Sequence, residues 1–176
     1  TLLIAGNSYA QITIGANPYT NLKAAFDAIN AGTETGAITI NINSSFSEPD
    51  SAVLNASGVG GASYTSVLIK PTAPGLNITG NLSGKGIIIL NGADNVTIDG
   101  RVGAGTTREL TIINNALTTT TAVIQNRSLG VGLGATNNTV TYCILQAGNN
   151  IPTLSVYGIY AGGVTITTTG TGADND

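Results

Sequence analysis

Histidine, methionine and tryptophan are absent from this chain, and cysteine occurs once, at Cys143. Without histidine there is no ordinary general base titrating near neutrality, and the commonest transition-metal ligand is missing. A single cysteine excludes an intrachain disulfide and a thiolate cluster. Charge is scarce as well: charged residues make up 9% of the 176, against about 25% in an ordinary soluble domain. The six Lys and Arg form no basic run and the net charge is −3, which leaves no electrostatic attraction to nucleic acid or to anionic lipid. Long apolar runs are missing too. The run Ile87-Ile88-Ile89-Leu90 falls far short of the roughly 18 residues that span a bilayer, so no membrane insertion of this segment is expected. Nor does the start read as a signal peptide, having no basic residues and only Leu2-Leu3-Ile4-Ala5 as an apolar stretch. A chain that begins with Thr and lacks Met is expected to be a processed or truncated piece of a larger protein.

What the chain has is 41% hydrophobic residues and 24 glycines, a glycine share about double the usual 7%. That hydrophobicity excludes disorder, and the length suffices for one domain with a real core. One segment has helical spacing: Leu22, Ala25, Phe26 and Ile29 fall on one face at i, i+3, i+4 and i+7. Thr20 or Asn21 can cap its start, and Asn30-Ala31-Gly32 supplies a left-handed stop. Three turns of helix are not stable alone, so this one must pack on something.

The rest reads as short strands and turns. Strands are expected at 37–43, 66–70, 76–78, 86–90, 96–98, 110–113, 122–124, 140–145, 154–160 and 164–166, joined by connectors rich in Gly, Asn, Asp, Ser and Thr. No helical segment intervenes, which argues against βαβ units and leaves a sandwich, a barrel or a solenoid. Degenerate internal similarity decides among them. Gly92-Ala93-Asp94-Asn95-Val96-Thr97-Ile98 resembles the stretch from Gly134 to Tyr142, with small insertions between the two. Leu76-Asn77-Ile78-Thr79 and Leu110-Thr111-Ile112-Ile113 echo its strand part. Irregular repeats at a few tens of residues are what stacked coils with variable loops produce. Low charge agrees with this, because like charges stacked about 4.8 Å apart repel. The expected fold is all-β, a right-handed parallel β-helix with a short N-terminal capping α-helix. Residues 1–36 would form a strand and the cap, and 37–176 the coils, continuing in the full-length protein.

The segment Tyr19-Thr20-Asn21-Leu22-Lys23-Ala24-Ala25-Phe26-Asp27-Ala28-Ile29-Asn30-Ala31-Gly32 resembles the start of β-helix regions in very large secreted bacterial surface proteins. The resemblance extends through the segment 91–100 and through 157–162 to the end of the chain. It implies a helix that caps the solenoid and a secreted or surface-exposed, adhesin-like protein exported with a C-terminal sorting domain. The family brings no agreed catalytic residues to carry over.

Polysaccharide lyases and hydrolases also use parallel β-helices, so acidic pairs need weighing. Asp94 and Asp99, followed by Arg101, flank the strand at 96–98 and are the candidate carbohydrate-binding residues; as turn residues they need no ligand. No catalytic residue is assigned, and no metal ligand or cofactor. Gly172-Ala173-Asp174-Asn175-Asp176 has half the spacing of a calcium loop but lacks the later bidentate Glu, and reads as a turn. Threonines at 118–121 and 165–169 raise an ice-binding alternative, which fails for want of regular Thr-x-Thr in every coil. Gly130-Val131-Gly132-Leu133-Gly134 lacks the lysine of a phosphate loop and is read as a bend. Cys143 is read as a small buried apolar residue. Of the modification sequences, seven Asn-x-Ser/Thr triplets (at Asn43, Asn55, Asn77, Asn81, Asn95, Asn126 and Asn137) are attributed to composition, whereas Asp50-Ser51-Ala52 resembles an O-glycan acceptor of such bacteria and makes Ser51 the candidate glycosylation site. The resulting expectation is a non-catalytic structural or adhesive module, extracellular or on the cell surface, with glycans or other copies of itself as partners. A polysaccharide-processing β-helix and a subunit of a self-assembling extracellular fibre are the alternatives.

Overall fold

The computed structural model describes residues 9–117, 120–148 and 155–166. A first strand, β1 (Tyr9–Ile14), leads to helix α1 (Leu22–Asn30), and four three-strand turns follow. The first turn is β2 (Gly36–Ile42), β3 (Phe46–Ser47) and β4 (Ala52–Asn55); the second is β5 (Tyr64–Pro71), β6 (Leu76–Gly80) and β7 (Ile88–Asn91). The third comprises β8 (Val96–Asp99), β9 (Leu110–Asn114) and β10 (Thr121–Arg127), and the fourth β11 (Thr139–Thr141), β12 (Cys143–Ala147) and β13 (Val156–Gly162). Like strands of successive turns pair in parallel, giving sheets ordered β1-β2-β5-β8-β11, β3-β6-β9-β12 and β4-β7-β10-β13. The fold is a parallel β-solenoid.

Its interior consists of columns of like side chains. Ile12, Ile40, Ile69 and Ile98 stand in register on the first sheet, all fully buried. On the second, Ile78 and Ile112 are in register with Leu145, and on the third Leu54 faces Leu90. Each turn is too thin to bury its own apolar side chains, so burial comes from the turns above and below.

The helix covers the first turn. Asn21 is its cap, accepting from the Ala24 amide at 2.8 Å, and Gly32 at φ 76° ends it. Leu22, Ala25, Phe26 and Ile29 are fully buried, and α1 packs chiefly on β4, the strand at the N-terminal edge of its sheet. Glu48, in the polar stretch Ser47-Glu48-Pro49-Asp50, is 3% exposed and accepts from the Leu22 amide at 2.8 Å and the Lys23 amide at 3.3 Å. A buried carboxylate thus meets the free amides of the helix start. The loop after β4 closes on the other end, where the Gly61 amide donates to Asn30 O at 3.1 Å and a Cβ on Gly61 would sit 2.6 Å from Ala31 O.

Strand bounds differ from the sequence expectation in places with physical reasons. The expected strand at 140–145 is two strands broken at Tyr142, whose φ of 51° turns the chain into the next sheet. The inner neighbour of that corner is Gly100, where any Cβ would run into Tyr142 O. Strands β3 and β4 were not expected, because Ser, Glu, Pro and Asp between them mask the apolar Phe46, Ala52 and Leu54. The segment 164–166 holds a bend and a turn and is no strand. The repeat at 92–98 lies over 134–140 with no insertion, since Thr97 pairs with Thr139 and Ile98 with Val140.

Candidate functional site

Asp94 and Asp99 stand at opposite ends of β8, and each carboxylate is engaged by a neighbour. Asp94 Oδ1 accepts from the Thr136 amide at 2.6 Å and from its hydroxyl at 2.8 Å, joining the third turn to the fourth. Asp99 takes a fork from Arg101, with Nε at 2.8 and 3.0 Å and Nη2 at 2.6 Å. That contact, ahead of everything else, holds the Asp99 carboxyl below the usual range. Arg101 also lies 4.6 Å from the ring centroid of Tyr142. The structure therefore brings Asp99 and Arg101 together, adds Tyr142, and leaves Asp94 in a separate cleft of about 320 Å³ beside Leu129 and Leu133.

Ser51 is 5% exposed, and its hydroxyl donates to Gly86 O at 2.7 Å. In the folded chain this oxygen is a buried bridge between turns, which weighs against attachment of a glycan there. Cys143 is half-buried, and desolvation pushes its thiol up to about 11, away from thiolate chemistry. The acidic segment 172–176 and Thr167 to Thr169 lie outside the described residues. Among the described residues no three of His, Cys, Asp and Glu cluster as metal ligands, and no helix is long and apolar enough to cross a membrane.

A larger feature has no counterpart in the sequence reading. A groove of about 450 Å³ crosses the outer face of the β4-β7-β10 sheet. Alternation along the strands sends Ala52, Leu54, Ile88 and Leu90 into the core, and so turns Val53, Asn55, Ile89, Asn91, Gln125 and Arg127 to the other face. Ile89 and Gln125 are nonetheless buried there, and Gln125 Nε2 donates to Gly163 O at 3.0 Å and Val164 O at 3.1 Å. Register then stacks Val53, Ile89 and Gln125 in one row and Asn55, Asn91 and Arg127 in the next. The second row is hydrogen-bonded along its length. Asn30 Oδ1 accepts from the Asn55 amide at 2.9 Å, Asn91 Nδ2 donates to Asn55 Oδ1 at 3.0 Å, and Arg127 Nη1 donates to Asn91 Oδ1 at 3.3 Å. The last two contacts each span 36 residues, one complete turn. Lys23 with Asp27 and Lys85 with Asp50 form ion pairs at the rim. Desolvation draws Arg127 below the ordinary arginine value, though an arginine so placed stays charged. The signal for this row was present as three polar residues one turn apart, but it is unreadable until the turn length is known.

No family model, no curated protein and no solved structure matches the chain. The class that the geometry defines is the parallel β-solenoid of about four turns.

Proposed function

We propose that this solenoid is a non-catalytic structural or adhesive module of a secreted or surface-exposed bacterial protein. The observation that carries the reading is the use made of the acidic groups: Asp94 bonds Thr136, Asp99 bonds Arg101, Glu48 anchors the helix, and the two carboxylates of the groove, Asp27 and Asp50, are paired with Lys23 and Lys85. Hydrolysis needs two carboxylates facing one bond across a space for substrate, and these five face amides, a hydroxyl, a guanidinium and two ammonium groups. Purified protein incubated with acidic and neutral polysaccharides is expected to release no new reducing or unsaturated ends. Saturable product formation would overturn the reading, and failure of an antiserum to label intact source cells would overturn its surface location.

Assembly with another copy is the second reading. Register places Ile159 over the buried Ile124, yet Ile159 is 47% exposed because among the described residues no strand pairs with the far side of β13. An open strand edge beside apolar side chains favours association. Sedimentation over a hundredfold concentration range tests it, and a constant monomer mass removes it.

A further inference from the structure

Three of the chain's six basic residues, Lys23, Lys85 and Arg127, line the groove over β4, β7 and β10. Lys23 is paired with Asp27 at 2.7 Å and Lys85 with Asp50 at 2.9 Å. Arg127 has no ion pair among the described residues: Nη1 donates to the Asn91 side chain, and the buried Nε has no partner there. One positive charge is therefore left uncompensated in a groove of an acidic protein, and with Nε buried it is the outer Nη groups that a ligand's oxygens would meet. Beside it the row of Asn55 and Asn91 offers amide groups that both donate and accept, as sugar hydroxyls do.

We propose that this groove binds a carboxylate-bearing sugar, with the carboxylate on Arg127 and ring hydroxyls at Asn55, while Asn91 holds the two in line between them. A single net positive charge fits a carboxylate better than a doubly charged phosphate, because both lysines already hold their own aspartates. A peptide strand finds no edge to add to: β7 and β10 are paired on both sides, and α1 packs on β4. The row runs across the strands at about 4.8 Å per turn, a step comparable to one sugar unit, so a short acidic oligosaccharide would lie along the solenoid axis. This site is distinct from Asp99 and Arg101, and it does not rest on where the protein is located.

The experiment is titration calorimetry at low ionic strength with the trisaccharides of galacturonate and of glucuronate, the neutral galactose trisaccharide, and an acidic hexapeptide. Saturable binding of an acidic trisaccharide is expected, with neither the neutral sugar nor the peptide competing. Arg127→Gln is expected to weaken it at least about tenfold, the scale of one lost charge-assisted contact. Because Arg127 is half-buried, Lys85→Glu at the exposed rim serves as the second variant; it is expected to weaken binding several-fold with an unchanged circular dichroism spectrum. No saturable binding of either acidic trisaccharide, equal binding of the neutral one, or indifference to both substitutions overturns the proposal. Competition by the peptide at equal affinity overturns the assignment to a sugar.

Discussion

Asn95 and Asn137 hold φ values of 58° and 54° at the same corner of consecutive turns. Asparagine is the residue other than glycine that visits this region most readily. Asn95→Gly is accordingly expected to change stability by less than about 0.5 kcal/mol, and Asn95→Ala to lower it by about 1–2 kcal/mol, read from urea midpoints. Glu48 gives a second test. Desolvation raises its pKa to about 7, against the pull of the Leu22 and Lys23 amides. The folded chain then binds a proton that the unfolded chain has released, so stability is full below about pH 4.5 and declines as pH rises to about 7. Urea midpoints measured across that window are expected to fall in the native protein, and Glu48→Gln is expected to flatten the slope. An unchanged slope in the variant would place the titration elsewhere.

Among the elements, the helix makes the sharpest claim. Phe26 is fully buried against the first turn, and Phe26→Ala is expected to cost about 3–5 kcal/mol. Lys23→Ala removes only an exposed pair one helical turn apart and is expected to cost about 0.3–0.5 kcal/mol. Equal midpoints for the two variants would mean that α1 is no cap. This helix was legible because its face repeats at 3.6 residues, and so were the strands whose apolar residues alternate, such as β2 and β5. β3 was not, because a two-residue strand has no period to detect. The corner at Tyr142 was also hidden, since nothing in the residue type announces a left-handed tyrosine; the reason lies a turn away, in Gly100. The same distance hid the groove. Asp94, Asp99 and Arg101 were conspicuous as neighbours in sequence, whereas Asn55, Asn91 and Arg127 become neighbours only through the register of β4, β7 and β10.

Across the whole molecule, each turn leans only on its neighbours, so local stability should vary along the axis. Inner strands such as β5 and β7 are paired on both sides, while β12 and β13 are paired on one side only among the described residues. Hydrogen exchange is expected to be slowest in β5 and β7 and fastest in β12 and β13; uniform protection would show that the turns open as a single unit. Glu48 also imposes an order of events on synthesis. The helix leaves the ribosome before the glutamate that grips its first amides, and before β4, on which its apolar face rests. The cap therefore cannot seat as it emerges, and must wait, exposed, until the first turn has been translated and closed. During that interval its apolar face, Leu22, Ala25, Phe26 and Ile29, is a surface on which a chaperone can act.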